Sequence, residues 1–206
     1  GFNRDGMVGW STNPGGHTVR DFDAYDNGTF VTDNGKYRGD TGKAGAGIKM
    51  TGDGWTIERV WLHLNEQDGI QSVGGQRSDN WILQDFLFTN EITHYSQPLF
   101  PHNYLEHNDG VQMFTGCQGA TIRRGVGMHL WHMFILGDSA GAANNNLIED
   151  ICAINVANVV RWHGNAPGGN NNNTVRRIVA KKWWQYFDDN GIGHQGGEIY
   201  YLKGTG

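Results

Sequence analysis

Two runs of this 206-residue chain carry the residue types of acid–base chemistry at matching positions: Gln67-Asp68-Gly69-Ile70-Gln71 and His107-Asn108-Asp109-Gly110-Val111-Gln112. Each places a carboxylate before a glycine and a glutamine three residues later, and the second adds His107 two residues before Asp109. His63 precedes Asp68, and Lys49 belongs to a third run of related form, Gly47-Ile48-Lys49-Met50. Two neighbouring carboxylates can divide the acid and base roles of glycoside hydrolysis. With a base and a group that neutralises the substrate carboxylate, the same set could cleave a uronic acid by β-elimination. A Ca²⁺ held by Asp68 and Asp109, or the Lys49 ammonium, would do the neutralising. Asp68, His107, Asp109 and Lys49 are therefore the candidate catalytic residues. His63, Gln71 and Gln112 are candidate substrate-binding residues. Asp before Gly is also ordinary turn chemistry, and the two glutamines could form a ladder instead of binding sugar hydroxyls.

The elements that position these residues are set by a repeat. Six stretches align on Val19, Ile57, Leu83, Ile122, Ile148 and Val175, at spacings of 38, 26, 39, 26 and 27 residues. A period of this size signals a solenoid. The units are strand-like, so the solenoid is a parallel β-helix. The pattern gives about six to seven coils of three strands each: a Gly-apolar strand, the anchor strand, and a third strand such as Val60-Trp61-Leu62-His63. On this alignment Asp68 and Asp109 occupy equivalent places on neighbouring coils.

Two residues past the anchor the column reads Asp21, Arg59, Asp85, Arg124, Asp150, Arg177, alternating in sign at every step. Stacked at the inter-strand spacing of about 4.8 Å, each acid meets a base above and below, which stabilises the stack. The preceding column, Arg20, Glu58, Gln84, Arg123, Glu149, Arg176, supplies diagonal complements. Alternation puts Phe22, Val60, Phe86, Ile151 and Ile178 inside. It also leaves Asp23, Trp61, Leu87, Val126, Cys152 and Val179 on the outer face, an apolar stripe that needs a cover. Two long insertions, residues 28–46 and 91–107, both leave the chain between a third strand and the next Gly-apolar strand. They are expected to wall a cleft over the short connection at Glu66-Gln67.

Composition fits one domain, residues 1–206. Thirty-two glycines and four prolines describe a turn-rich chain without a collagen period, and the net charge of −5 excludes a general basic footprint for nucleic acid. No apolar run is long enough to span a membrane as a helix. Cys117 and Cys152 fall on different sides of the coil, so no disulfide is expected. Asn27-Gly28-Thr29 and Asn172-Asn173-Thr174 are glycosylation sequons. The first and last repeats lie close to the two ends of the sequence and no amphipathic capping helix is visible. This describes an excerpt lacking end caps, or ends that meet another subunit.

The coil starts Asp68-Gly69-Ile70-Gln71 and Asp109-Gly110-Val111-Gln112, with the coil pattern across nearly the whole chain, resemble the right-handed parallel β-helix superfamily, the pectate-lyase-like solenoids. That resemblance implies right-handed coils, an extracellular or cell-surface location and a polysaccharide partner. It implies either a lyase or glycoside hydrolase acting on an acidic polysaccharide, or a non-catalytic fibre, tailspike or surface filament with end-to-end or lateral self-association. Pectate lyases would imply calcium-binding acids with an Arg or Lys base. Polygalacturonases would imply clustered aspartates and a Gly-His-Gly, from which Gly193-His194-Gln195-Gly196 departs.

Other motifs carry less. His129-x-x-His132 has near-metal spacing, but on a strand the rings would point to opposite faces. Trp183, Trp184, Tyr186 and Phe187 could stack on sugars or cover the apolar stripe. Thr41-Gly42-Lys43 lacks the first glycine and the Ser/Thr of a phosphate loop.

Overall fold

The computed structural model describes residues 6–9, 16–25, 27, 31–33, 36–38, 45–63, 65, 68–72, 77–89, 109–113, 115–130, 132–137, 141–154, 156, 158–162, 170–181, 184–187 and 193–196. These residues are all-β and contain no helix, hence none long and apolar enough to cross a membrane.

Six short strands form one parallel sheet: β1 (Met7–Gly9), β5 (Ile48–Met50), β7 (Ile70–Ser72), β9 (Val111–Met113), β11 (His132–Leu136) and β13 (Asn158–Trp162). Six eight-residue strands form a second: β2 (Thr18–Tyr25), β6 (Thr56–His63), β8 (Ile82–Thr89), β10 (Thr121–Met128), β12 (Leu147–Ile154) and β14 (Thr174–Lys181). The chain alternates between the sheets, adding one strand to each per circuit. Two antiparallel pairs stand apart: β3 (Val31–Asp33) with β4 (Lys36–Arg38), inside the first insertion, and β15 (Trp184–Phe187) with β16 (Gly193–Gly196).

The register is the one the repeat predicts. Val19, Ile57, Leu83, Ile122, Ile148 and Val175 pair in one row. The first five are buried and Val175 packs against the core they form. Val60, Phe86 and Ile151 are buried, with Phe22 and Ile178 packed on them.

The expected second and third strands are the two arms of one bent strand. The bend falls on the charged column: Asp21, Arg59, Asp85, Arg124, Asp150 and Arg177 all have φ between 52° and 56°. Left-handed backbone reverses the side-chain alternation at one residue while pairing resumes on either side. It strains any residue but glycine by about 1–3 kcal/mol. Aspartate tolerates it better than arginine. A second left-handed column, Gly54, Asn80, Gly119, Asn145 and Asn172, enters the long strands. It uses only the two residue types best suited to that backbone.

Each acid of the charged column takes the forked guanidinium of the next coil. Arg59 donates to Asp21 at 2.6 and 2.9 Å, and Arg124 to Asp85 at 2.7 and 2.8 Å; Arg177 holds Asp150 in the same way. The arginine of the preceding coil acts on Asp85 and Asp150 only through space. The ladder is therefore three bidentate pairs, where the sequence predicts equal neighbours on both sides. Bonding to these arginines holds all three carboxyls below their usual range. A depressed carboxyl contributes stability above its unfolded pKa, and that contribution is lost as pH falls through the folded value. The ladder should therefore weaken in acid below about pH 4. The pairs are exposed, so salt also weakens them.

The bend makes a separable prediction. Arg124→Gly and Arg124→Val both lose the pair with Asp85, but valine also carries a branched Cβ into left-handed backbone. Thermal melts should place Arg124→Val clearly below Arg124→Gly. Equal melting of the two variants would remove the backbone argument.

The two thiols are free, with Cys117 buried and pushed up to about 12 by burial, then by the charge of Asp79. The Asn27 amide is buried and donates to Asn65 Oδ1 at 2.7 Å, so it is no glycan acceptor; Asn172 is exposed.

Candidate functional site

The short-strand sheet begins each circuit with a corner residue and then a glycine. Backbone bonds set the order: Gly47 N–H donates to Asp68 O, Gly69 N–H to Asp109 O, and Gly110 N–H to His132 O. Asp68, Asp109 and His132 are thus one column on three successive coils. The glycine is required by the next coil. A Cβ on Gly69 would lie 2.7 Å from Gly110 O, and one on Gly110 would lie 2.6 Å from Met133 O.

The column is a continuous polar chain. Gln71 Nε2 donates to Asp68 Oδ2 at 2.8 Å, and Asp109 N–H to Asp68 Oδ1 at 3.2 Å. Asp109 Oδ1 accepts from His132 N–H at 3.1 Å and lies 2.8 Å from His132 Nδ1. Arg161 Nη1 lies 3.2 Å from His132 Nε2. A guanidinium can only donate. These partners therefore assign the tautomer that accepts Arg161 at Nε2 and donates its Nδ1–H to Asp109. Asp109 Oδ2 is buried with no hydrogen-bond partner among the described residues.

Asp68 and Asp109 are each only 1% exposed. Burial, and then the charge of Asp109, push the Asp68 carboxyl well above its usual range, against the smaller opposing pull of the Asp109 N–H, Lys49 and Gln71. A carboxyl raised in the folded state favours folding most below its unfolded pKa, and the contribution declines as pH rises. This slope is opposite to that of the ladder. In Asp68→Asn, stability should cease to fall between about pH 4 and neutrality, as read by denaturant midpoints across pH. An unchanged slope would mean Asp68 ionises normally.

The structure brings Asp68, Asp109, Gln71 and Lys49 into this neighbourhood, with Lys49 felt by Asp68 through space. Gln112 is buried and pairs with Gln71 in the adjacent row. His63 sits on the other sheet and joins Asp109 by way of a small, water-sized pocket, which Asn65, Thr89, Leu62 and Phe88 also line. His107 and the second insertion lie outside the described residues, as does most of the first insertion. Trp183 lies outside them too, and no side chain of β15 is described.

Sequence reasoning missed His132 and Arg161. Neither stands in an Asp-Gly start: the pairings of Phe134 with Val111 and of His132 with Asn158 put His132 at the corner of the fifth circuit, with Met133 in the glycine's place, and Arg161 on the sixth. His132 is bonded to Asp109, so it is no partner of His129 in a metal pair.

Calcium takes six to eight oxygen ligands. Here both Asp68 oxygens accept N–H donors and one Asp109 oxygen lies against His132. Among the described residues no three His, Cys, Asp or Glu side chains come together as a metal site. The pair does not fit the ion as it stands.

No protein-family model, curated protein or solved structure matches the chain.

Proposed function

We propose that this chain is a right-handed parallel β-helix that hydrolyses an acidic polysaccharide outside the cell, with Asp68 and Asp109 as its acid–base pair. The observation that carries the reading is the contrast between the two acids. Burial and its neighbour's charge push the Asp68 carboxyl well above its usual range, while Asp109 is fixed by His132 and keeps one oxygen without a partner among the described residues. Carboxyls whose environments separate their proton affinities mark acid and base assignments. In the reaction Asp68 gives its proton to the glycosidic oxygen as the C–O bond breaks, and Asp109 takes a proton from the attacking water. His132 and Arg161 position Asp109. Lys49, Gln71 and Gln112 face the substrate's carboxylates and hydroxyls, and His63 meets it at the pocket. The resemblance to pectate-lyase-like solenoids supports the fold, the substrate class and the location.

A second reading has its own observation. Asp68 and Asp109 each accept a backbone N–H from the next coil. Asp53, Asp79 and Asn144 do the same at another corner, where Asp79, Gln118 and Asn171 donate at 2.7–2.8 Å. Such a corner serves a non-catalytic fibre or adhesin equally well. Incubation with polyuronates in the presence of chelator decides among the readings. The acid pair predicts new reducing ends, without unsaturated product and with no loss on chelation. A calcium-dependent lyase gives unsaturated product that chelator abolishes. A structural solenoid releases nothing.

A further inference from the structure

The outer face of the bent strands holds a second feature, which shares only His63 with the acid site. Trp61 and His63 stack at 4.0 Å between ring centroids with an interplanar angle of 16°. His63 and Tyr25 stack at 5.0 Å and 22°. The rings are pinned: Trp61 Nε1 donates to Thr89 Oγ1 at 3.2 Å, and His63 Nε2 lies 3.0 Å from Asp23 Oδ1. Yet Trp61 is 44% and Tyr25 50% exposed. Large aromatics held rigid at a surface bind at small entropic cost and combine apolar rings with polar tips.

Two facts select the occupant. The stack carries a hydrogen-bonding group at its rim, the exposed Asp23 carboxylate, which suits a ligand whose apolar C–H faces alternate with hydroxyls. It also lies beside the acid site, because His63 and Thr89 line a small pocket that Asp109 lines too.

We propose that Tyr25, His63 and Trp61 form a sugar-stacking subsite that holds a polysaccharide chain along the outer face of the long-strand sheet, beside the Asp109 pocket. The inference rests on the hydrolase reading above and adds to it the place where the chain is held. Pyranose C–H groups pack on Trp61 and Tyr25, while Asp23 takes hydroxyls.

The test uses affinity electrophoresis in gels containing polygalacturonate, alginate or a neutral xylan, with wild type, Trp61→Ala, Trp61→Phe and Tyr25→Ala, each first checked for an unchanged melt. Reducing-end release and sedimentation are measured on the same proteins. The expected result is retardation by at least one of these polymers that weakens about ten-fold or more in Trp61→Ala and is largely kept in Trp61→Phe. Release at low substrate should fall in parallel, with the rate at saturation little changed. Wild-type retention in Trp61→Ala, with cleavage by wild type intact, overturns the subsite and leaves the hydrolase reading standing. Dissociation of an oligomer in Trp61→Ala without change in retention makes the face a protein interface and also overturns it. If wild type neither binds nor cleaves any of the polymers, both readings fall together.

Discussion

Gly125→Val should cost about 3 kcal/mol or more, the upper part of the range for overpacking a core, and lower the melting temperature by roughly 6–12 °C for a chain of this size. Gly125 sits directly after the bend at Arg124, in the inward row that pairs it with Phe86 and Ile151. Its missing side chain is the space that Phe86 fills: an ideal Cβ there would lie 1.9 Å from Cζ of that ring. Phe86 cannot swing aside freely. It is buried, packs on Phe88 at 4.7 Å and meets Phe134 edge-on at 6.2 Å. The check is a rescue. Phe86→Ala alone should cost about 3–5 kcal/mol through the cavity it leaves. The double variant with Gly125→Val should be far less unstable than the two losses summed, because the new side chain occupies the vacated space. Strict additivity in denaturant titrations would show that the two residues do not share that space.

Asp109→Asn should lower the rate of polysaccharide cleavage by about 100- to 10,000-fold, the usual contribution of a general acid or base, with little loss of fold. Asparagine keeps an Oδ1 to accept the His132 N–H that Asp109 accepts at 3.1 Å. It removes the charge that raises Asp68, so the remaining acid would also ionise at lower pH. Two effects then follow from one substitution: the base is lost and the acid is retuned. His132→Gln should act in the same direction but less, since it disturbs only the orientation of Asp109 and the link to Arg161.

The register of the long strands was legible because one-residue slips are costly there. The anchor row, the inward row and the alternating charges all demand the same alignment, and the structure keeps it. The left-handed bend was not legible, because arginine is a poor residue for that backbone and nothing local announces it. Its signal was the strict alternation with aspartate. Asp68 and Asp109 were found through the glycine that follows each, whose Cβ the next coil forbids. His132 was hidden because the fifth circuit puts Met133 in the glycine's place and so loses the marker. Arg161 could have been found by extending the Lys49, Gln71 and Gln112 row past Ile135 to the sixth circuit. The aromatic stack was half legible. The outer stripe pointed to Trp61, but the coplanar packing with His63 and Tyr25 depends on side-chain directions that alternation alone does not set.

The most direct test of the acid pair is the release of reducing ends from polyuronates by wild type and Asp109→Asn, measured in chelator at equal folded concentration as judged by their melts. The account predicts release by wild type and a fall of at least about 100-fold in the variant. Equal rates for the two proteins, or no release by wild type from any acidic polysaccharide, would contradict it.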